Sequence, residues 1–254
     1  MLNQPTTDKL NQMRLGGMLE ELRRQSEQMG HYSSMSFEER LAHLVEQEWL
    51  ARENRRLSAR LRHAKIKQQA CVEDIDYKQD RGLDRTLVRQ LARCDWVREK
   101  KNLLITGPTG AGKSYIASAL ANQACRHGFT VYYSRLSRLI SELAVAREEG
   151  TENRLLKRLA KVNVLVIDDW GLVALGVQER HWLLEIAEDR YDVGPLVLTS
   201  QLPVSAWYGY IGDATMADAI LDRIVKRSLR IEYKPTAKSM RGHEESLKGE
   251  GDEE

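Results

Sequence analysis

The chain has 254 residues, enough for one large domain or a core domain with a small companion. Charged residues make up 30% of it and aromatics 6%; no apolar run approaches the roughly 20 residues of a membrane span, and no export-signal core follows Met1, so a cytoplasmic protein with no membrane partner is expected. The formal net charge of +2 divides into −5 from Gly242 onward and +7 before it, and a basic body suits a polyanionic partner.

Residues 1 to about 30 carry Leu10, Met13, Leu15, Met18, Leu19 and Leu22 near helical spacing, which predicts one amphipathic helix weakened or kinked at Gly16-Gly17. A polar turn follows to Ser36, and Glu39 three residues on completes a capping box. The second helix has Phe37, Leu41, Leu44, Val45, Trp49 and Leu50 on its apolar side and runs, or breaks and resumes, into a basic segment. There Arg52, Arg55, Arg56, Arg60, Arg62, Lys65 and Lys67 are opposed only by Glu53. Such a surface binds phosphate backbone or docks on a partner; without interleaved aromatics it predicts sequence-tolerant, salt-sensitive contact, against the alternative of a solvated face. The three cysteines, Cys71, Cys94 and Cys125, form no C-x-x-C, so neither a disulfide framework nor a zinc site is expected.

Residues 72–100 read as a joint, a loop through Arg81-Gly82-Leu83 leading to a helix with Leu83, Leu87, Val88 and Leu91. Arg81 to Leu83 is a candidate lining for a nucleotide base. After the strand Leu103–Thr106 comes GPTGAGKS, Gly107 to Ser114, and then a helical stretch to His127, stopped by Gly128. This is the phosphate-binding loop of nucleotide triphosphatases in its strand–loop–helix setting. Gly107, Gly110 and Gly112 let the backbone N–H groups of the loop, Pro108, Thr109 and Ala111 included, curl toward an anion at a helix start. Lys113 would reach the β- and γ-phosphates of ATP, and Ser114 would bind Mg²⁺.

A strand at 129–133 and helices at 136–147 and 151–161 precede VNVLVIDD, Val162 to Asp169. Its apolar run is that of a central parallel strand, with Asp168 as the Mg²⁺ partner and Asp169 as the group that orients or deprotonates the attacking water. A helix over 177–193 and a strand over 195–199 follow, and either Ser200 or Gln201 is placed to sense the γ-phosphate. Residues 202–213 read as a loop in which Trp207, Tyr208 and Tyr210 either face a partner or cover the nucleotide. A helix over 214–226 and a last strand over 229–233 leave no room for a folded helical lid. The alternation predicts an α/β fold, a parallel sheet with flanking helices behind a small all-α front end.

The loop, the double aspartate and ADAILDRIVKRSLRI from Ala217 to Ile231, with K-L-x-x-M-R-L-x-G-M from Lys9 to Met18, Arg81-Gly82-Leu83, VLVIDDWG and LTSQLP, resemble the IstB-type AAA+ ATPases, helpers of two-gene insertion-sequence transposition. The resemblance extends more distantly to DnaC-type helicase loaders. It implies a helical domain at 1–70 for oligomerisation and DNA or partner contact, an AAA+ domain at 71–241, and an acidic disordered tail at 242–254. It further implies an ATPase that binds double-stranded DNA without sequence preference, assembles on it as an ATP-dependent oligomer and presents it to a transposase. ATP would lie between subunits, touched by a neighbour's arginine, with Arg223 the leading candidate and Arg227 the second. Asp169 stands where many relatives carry glutamate and Gln201 where many carry asparagine, which predicts slow, DNA-stimulated turnover. A helicase loader is the alternative function; a small-molecule kinase would leave the basic front end unexplained.

Overall fold

Apolar β-rich runs separated by helical segments fold here into a five-stranded sheet. The computed structural model describes residues 3–66, 68–77 and 81–235; Lys67 and the acidic tail at 242–254 lie outside the described residues. The chain divides into two units, Met1–Ala59 and Arg60–Glu254, a division that falls earlier than the expected one at residue 70.

The first unit contains α1 (Gln4–Gln12), α2 (Gly16–Glu27), α3 (Met29–Tyr32) and the greater part of α4 (Phe37–Ala64). The single helix expected over the first 30 residues is broken twice, after α1 where Arg14 takes a left-handed φ of 57° and between α2 and α3 where Gln28 leaves helical geometry at φ −108° and ψ 45°. Gly17 is required where it stands: a Cβ there would lie 2.6 Å from the Gln47 carbonyl oxygen. Buried Glu48 accepts from the Gly17 and Met18 N–H groups at 2.7 and 3.3 Å, placing a carboxylate at the positive end of α2. Burial alone would raise its carboxyl, but the Arg52 hydrogen bond and those two N–H groups hold it below the usual range. The Ser36–Glu39 capping box forms as expected, with reciprocal bonds of 2.7 and 3.2 Å. The apolar side of α4 does not: Phe37, Leu41, Val45, Trp49 and Leu50 are exposed, and only Leu44 is half-buried. Helix α2 meets α4 instead along its polar face, through Gln25 to the Arg40 carbonyl and Gly17 against Gln47 and Glu48.

In the second unit α5 (Arg85–Ala92) and α6 (Asp95–Arg98) precede β1 (Asn102–Thr106) and α7 (Lys113–Arg126). Then come β2 (Val131–Arg135), α8 (Leu136–Glu148), α9 (Glu152–Lys161), β3 (Val164–Trp170), α10 (Val177–Arg190) and β4 (Leu196–Ser200). The segment expected to be a loop at 202–213 is helical, with a short 3-10 turn and α11 (Trp207–Ile211); α12 (Ala214–Val225) and β5 (Ser228–Glu232) complete the order. Trp207 is fully buried, its ring 5.5 Å from that of Trp170, so it belongs to the core rather than to a partner surface or a nucleotide cover. The strands pair in parallel in the order β2-β3-β4-β1-β5, and β1 is therefore central. No helix among the described residues is long and apolar enough to cross a membrane.

Two buried polar side chains tie the starts of the strands together. Asn102 donates to the Arg223 and Ile224 carbonyls and accepts from Leu196 N–H at 2.8 Å. Arg190 donates to the carbonyls of Leu159, Val162, Asn163 and Pro195 at 2.7 to 3.1 Å. Cys94 and Cys125 are buried, and burial pushes both thiols up to about 11. Half-buried Cys71 is the accessible thiol among the three. A disulfide-exchange reagent near neutral pH is expected to label Cys71 alone in the native protein, and all three cysteines once the chain is unfolded.

Candidate functional site

At the carboxyl end of central β1 the chain turns through Gly107, Gly110 and Gly112, whose φ values are 150°, 80° and 98°. Gly107 also passes so close to β5 that a Cβ would lie 2.5 Å from Tyr233 Cβ. The Lys113 ammonium donates to the Gly107 and Pro108 carbonyls, both at 2.8 Å, and Gly107 N–H donates to the Ser200 carbonyl. Arg81, buried, donates from Nη1 to the Ala111 carbonyl at 3.3 Å, and its own carbonyl accepts from Lys234 N–H. The candidate base-lining segment therefore lies against the loop from one side, with Tyr233 beside it, its hydroxyl pushed up to about 12 by burial.

The two aspartates owe their placement to a β-bulge. Ile167 pairs with Leu198 and Trp170 with Ser200, so Asp168 and Asp169 together oppose Thr199 alone. Asp169 completes the bulge with a left-handed φ of 63°. Thr199, which the sequence reading passed over, joins the pair: its hydroxyl donates to Asp168 Oδ1 and accepts from Asp169 N–H at 3.0 Å. Ser114 Oγ donates to the same Asp168 Oδ1 at 2.8 Å. Tyr133 faces it too, and burial followed by the Asp168 charge raises its phenol. A hydroxyl and a carboxylate meeting at the mouth of a glycine loop are the hard oxygen donors Mg²⁺ takes beside phosphate oxygens, and the loop offers the backbone cradle a triphosphate needs. The residues fit both groups.

The structure separates the sensor candidates. Ser200 Oγ is buried, donating to the Trp170 carbonyl and accepting from Leu202 N–H. Gln201 reaches the phosphate loop, its Oε1 accepting from Thr109 Oγ1 at 2.7 Å. Arg223 and Arg227 are not brought to this site. They stand at the opposite end of the sheet, where the Arg227 carbonyl accepts from Asn102 N–H at the start of β1. Arg223 pairs with Glu188 at 3.0 Å and Arg227 with Asp192; both arginines and Asp192 line a shallow recess there.

The basic segment is less bare than its composition suggests. Arg52 and Arg55 both pair with Glu48, at 2.7 and 3.3 Å, and Arg56 with Glu53 at 2.7 Å. Glu48 precedes the segment in sequence and joins it through helical spacing. Arg60 donates to the Cys125 carbonyl, and Lys65 reaches Tyr132 and Glu142; Arg62 is exposed.

The sequence matches the family described as IstB-like ATP binding protein over residues 8–247. The chain belongs to that family. It is 49% identical over 234 residues, 91% of its own length and 94% of the relative's, to a Sinorhizobium fredii protein named as an insertion sequence ATP-binding protein. A Pseudomonas fluorescens protein named for the insertion sequence IS1162 is 45% identical, covering 85% and 92% of the two chains. Among solved structures, DnaI aligns with a TM-score of 0.55 at 25% identity, over 66% of this chain and 90% of that one. The DnaC helicase loader aligns with a TM-score of 0.55 at 23% identity, over 67% and 100%, and shares the fold. Family and fold make this IstB-like protein an AAA+ ATPase whose relatives are named for insertion sequences.

Proposed function

We propose that this IstB-like ATPase binds double-stranded DNA without sequence preference, assembles on it with ATP, and presents it to the transposase of its insertion sequence. One observation carries the assembly. Arg223 and Arg227 stand at the strand starts while the phosphate loop opens at the strand ends, so either arginine serves a neighbour's nucleotide rather than its own. A trans arginine neutralises charge on the transferring phosphoryl group and makes hydrolysis depend on assembly.

Within one subunit Lys113 and the loop N–H groups bind the phosphates, and Gln201 reports on the loop through Thr109. Ser114 and Asp168 would hold Mg²⁺, which neutralises phosphate charge when bound. Thr199 fixes the carboxylate of Asp168 and the backbone of Asp169, whose side chain, paired with Arg135 at 3.3 Å, is the group that orients water. The names of the relatives and the basic body of the chain support the DNA and transposase part.

Sizing the protein with random duplex and ATP, ADP or no nucleotide tests this reading. Large complexes are expected on duplex with ATP alone, dispersed by high salt because phosphate contacts release counterions. Preference for single strands would favour the helicase-loader alternative, and a persistent monomer indifferent to DNA would overturn the proposal.

A further inference from the structure

Strand β1 lies between β4 and β5, so the phosphate loop at its end has two flanks. Asp168 near the end of β3 and Gln201 just after β4 form one of them. Tyr233, just after β5, and Arg81 form the other. Backbone bonds hold both in place: Tyr233 N–H donates to the Thr106 carbonyl at 2.8 Å, and Lys234 N–H to the Arg81 carbonyl at 2.9 Å. Each of the two residues is only 5% exposed. Their polar ends converge on the last glycine of the loop. A Cβ on Gly112 would lie 3.3 Å from Arg81 Nη1 and 3.7 Å from Tyr233 Oη.

Two hydrogen-bonding groups at this convergence are unfilled. Arg81 donates from Nη1 and Nη2 to the Ala111 and Asp76 carbonyls, but its buried Nε has no partner among the described residues. The buried Tyr233 hydroxyl has none there either, and burial, which pushes it up to about 12, keeps it a neutral donor near pH 7. The partners of Arg81 among the described residues are carbonyls, which accept its protons without balancing its charge. A guanidinium stays charged in a protein interior, and burying it without a counter-ion is costly. This flank of the loop is short of an anion.

We propose that Arg81 and Tyr233 bind the α-phosphate end of ATP, with Arg81 supplying a second fixed positive charge beside that of Lys113. The flanks decide which end of the triphosphate this is. Asp168 and Gln201 place the metal and the γ-phosphate toward β3 and β4, which leaves the α-phosphate to the β5 side. Arg81 then faces phosphate rather than the base, which is left to its neighbours Gly82 and Leu83. The proposal rests on the reading of Gly107–Ser114 as the ATP site.

Inorganic tripolyphosphate has the charge of the triphosphate without a ribose or a base, so it separates a phosphate contact from a base contact. Titration calorimetry of the full chain with ADP and with tripolyphosphate, each with Mg²⁺, gives the two affinities. Arg81→Gln is expected to weaken both ligands about 10-fold or more and by similar factors, and Tyr233→Phe to weaken both about 3-fold. Arg81→Lys, which keeps the charge, should recover a part. Without ligand Arg81→Gln should unfold at or above the native Tm, because a charge awaiting its counter-ion is gone, while the rise in Tm on saturation with ADP shrinks. Weaker ADP with unchanged tripolyphosphate would assign Arg81 to the base and overturn the proposal. Native affinity for both ligands, with a ligand-free Tm lower by about 5 °C or more, would make Arg81 a structural residue and overturn it equally. Should Arg81→Gln not fold, unchanged tripolyphosphate affinity in Tyr233→Phe overturns the pair. Lys113→Ala is the reference. If it also binds ADP at native affinity, the loop is not the nucleotide site and both readings fall; if it binds weakly while Arg81→Gln does not, the assignment of Arg81 falls alone.

Discussion

Replacing Lys113 with alanine is expected to lower kcat/KM for ATP hydrolysis about 10²- to 10³-fold, equivalent to about 3–4 kcal/mol of transition-state stabilisation. The Lys113 ammonium is already aimed into the loop by the Gly107 and Pro108 carbonyls, so little reorganisation separates this state from one holding a triphosphate. The loop does not need the lysine to keep its shape. Gly107 N–H is anchored to the Ser200 carbonyl, Ala111 N–H to the Pro108 carbonyl, and the Ala111 carbonyl to Arg81. The variant should therefore fold normally, bind a fluorescent ATP analogue weakly in equilibrium titration, and show almost no turnover. A native steady-state rate would remove Lys113 from the site.

The largest loss of stability is expected far from the nucleotide, on replacing Arg190 with methionine. The side chain is buried and, among the described residues, has no carboxylate partner; backbone carbonyls receive it. Leu159 belongs to the last turn of α9, Val162 follows that helix, Asn163 leads into β3 and Pro195 into β4. Arg190 thus caps α9 and joins it to two strand starts, satisfying acceptors that a helix end otherwise leaves open. Gly194 accommodates it, since a Cβ there would lie 2.7 Å from Arg190 Nη2. Methionine fills much of the volume and strands the carbonyls, costing about 3–5 kcal/mol. Thermal unfolding should show a Tm lower by about 10 °C. Lysine, with three donors on one atom rather than a planar fork of five, should recover only a part. A Tm within a degree or two of native would show that water satisfies these carbonyls as well as the guanidinium does.

Arg190 also marks where the sequence stops being legible. On a helix reading it is one more charge among Glu188, Asp189 and Asp192, and nothing local says that it points inward. The phosphate loop and Asp168 were legible because their chemistry depends on neighbours in sequence: glycines at fixed spacing, and an acid at the end of an apolar strand. Thr199 was not, because its hydroxyl matters only through a bulge on another strand. The same limit explains α4. Periodicity gathers Phe37, Leu41, Val45 and Trp49 on one side of a helix but does not say which side a neighbour covers, and the contact with α2 is polar. At 202–213 the sequence left a partner surface and a nucleotide cover both open for the aromatic residues, whereas Trp207 needed Trp170, distant in sequence, to draw it into the core.

The bulge at Asp168–Asp169 also bounds which sequences this turn accepts. A residue held at a φ of 63° is selected first by its backbone, and aspartate, asparagine and glycine are the side chains that tolerate the left-handed region most readily. Aspartate is the only one of those three that carries a charge. Its short side chain is thus the acid this backbone admits at least strain within the two-against-one register. Lengthening the acid at this position therefore meets the backbone first: Asp169→Glu would set a longer side chain in the left-handed region as well as move the carboxylate.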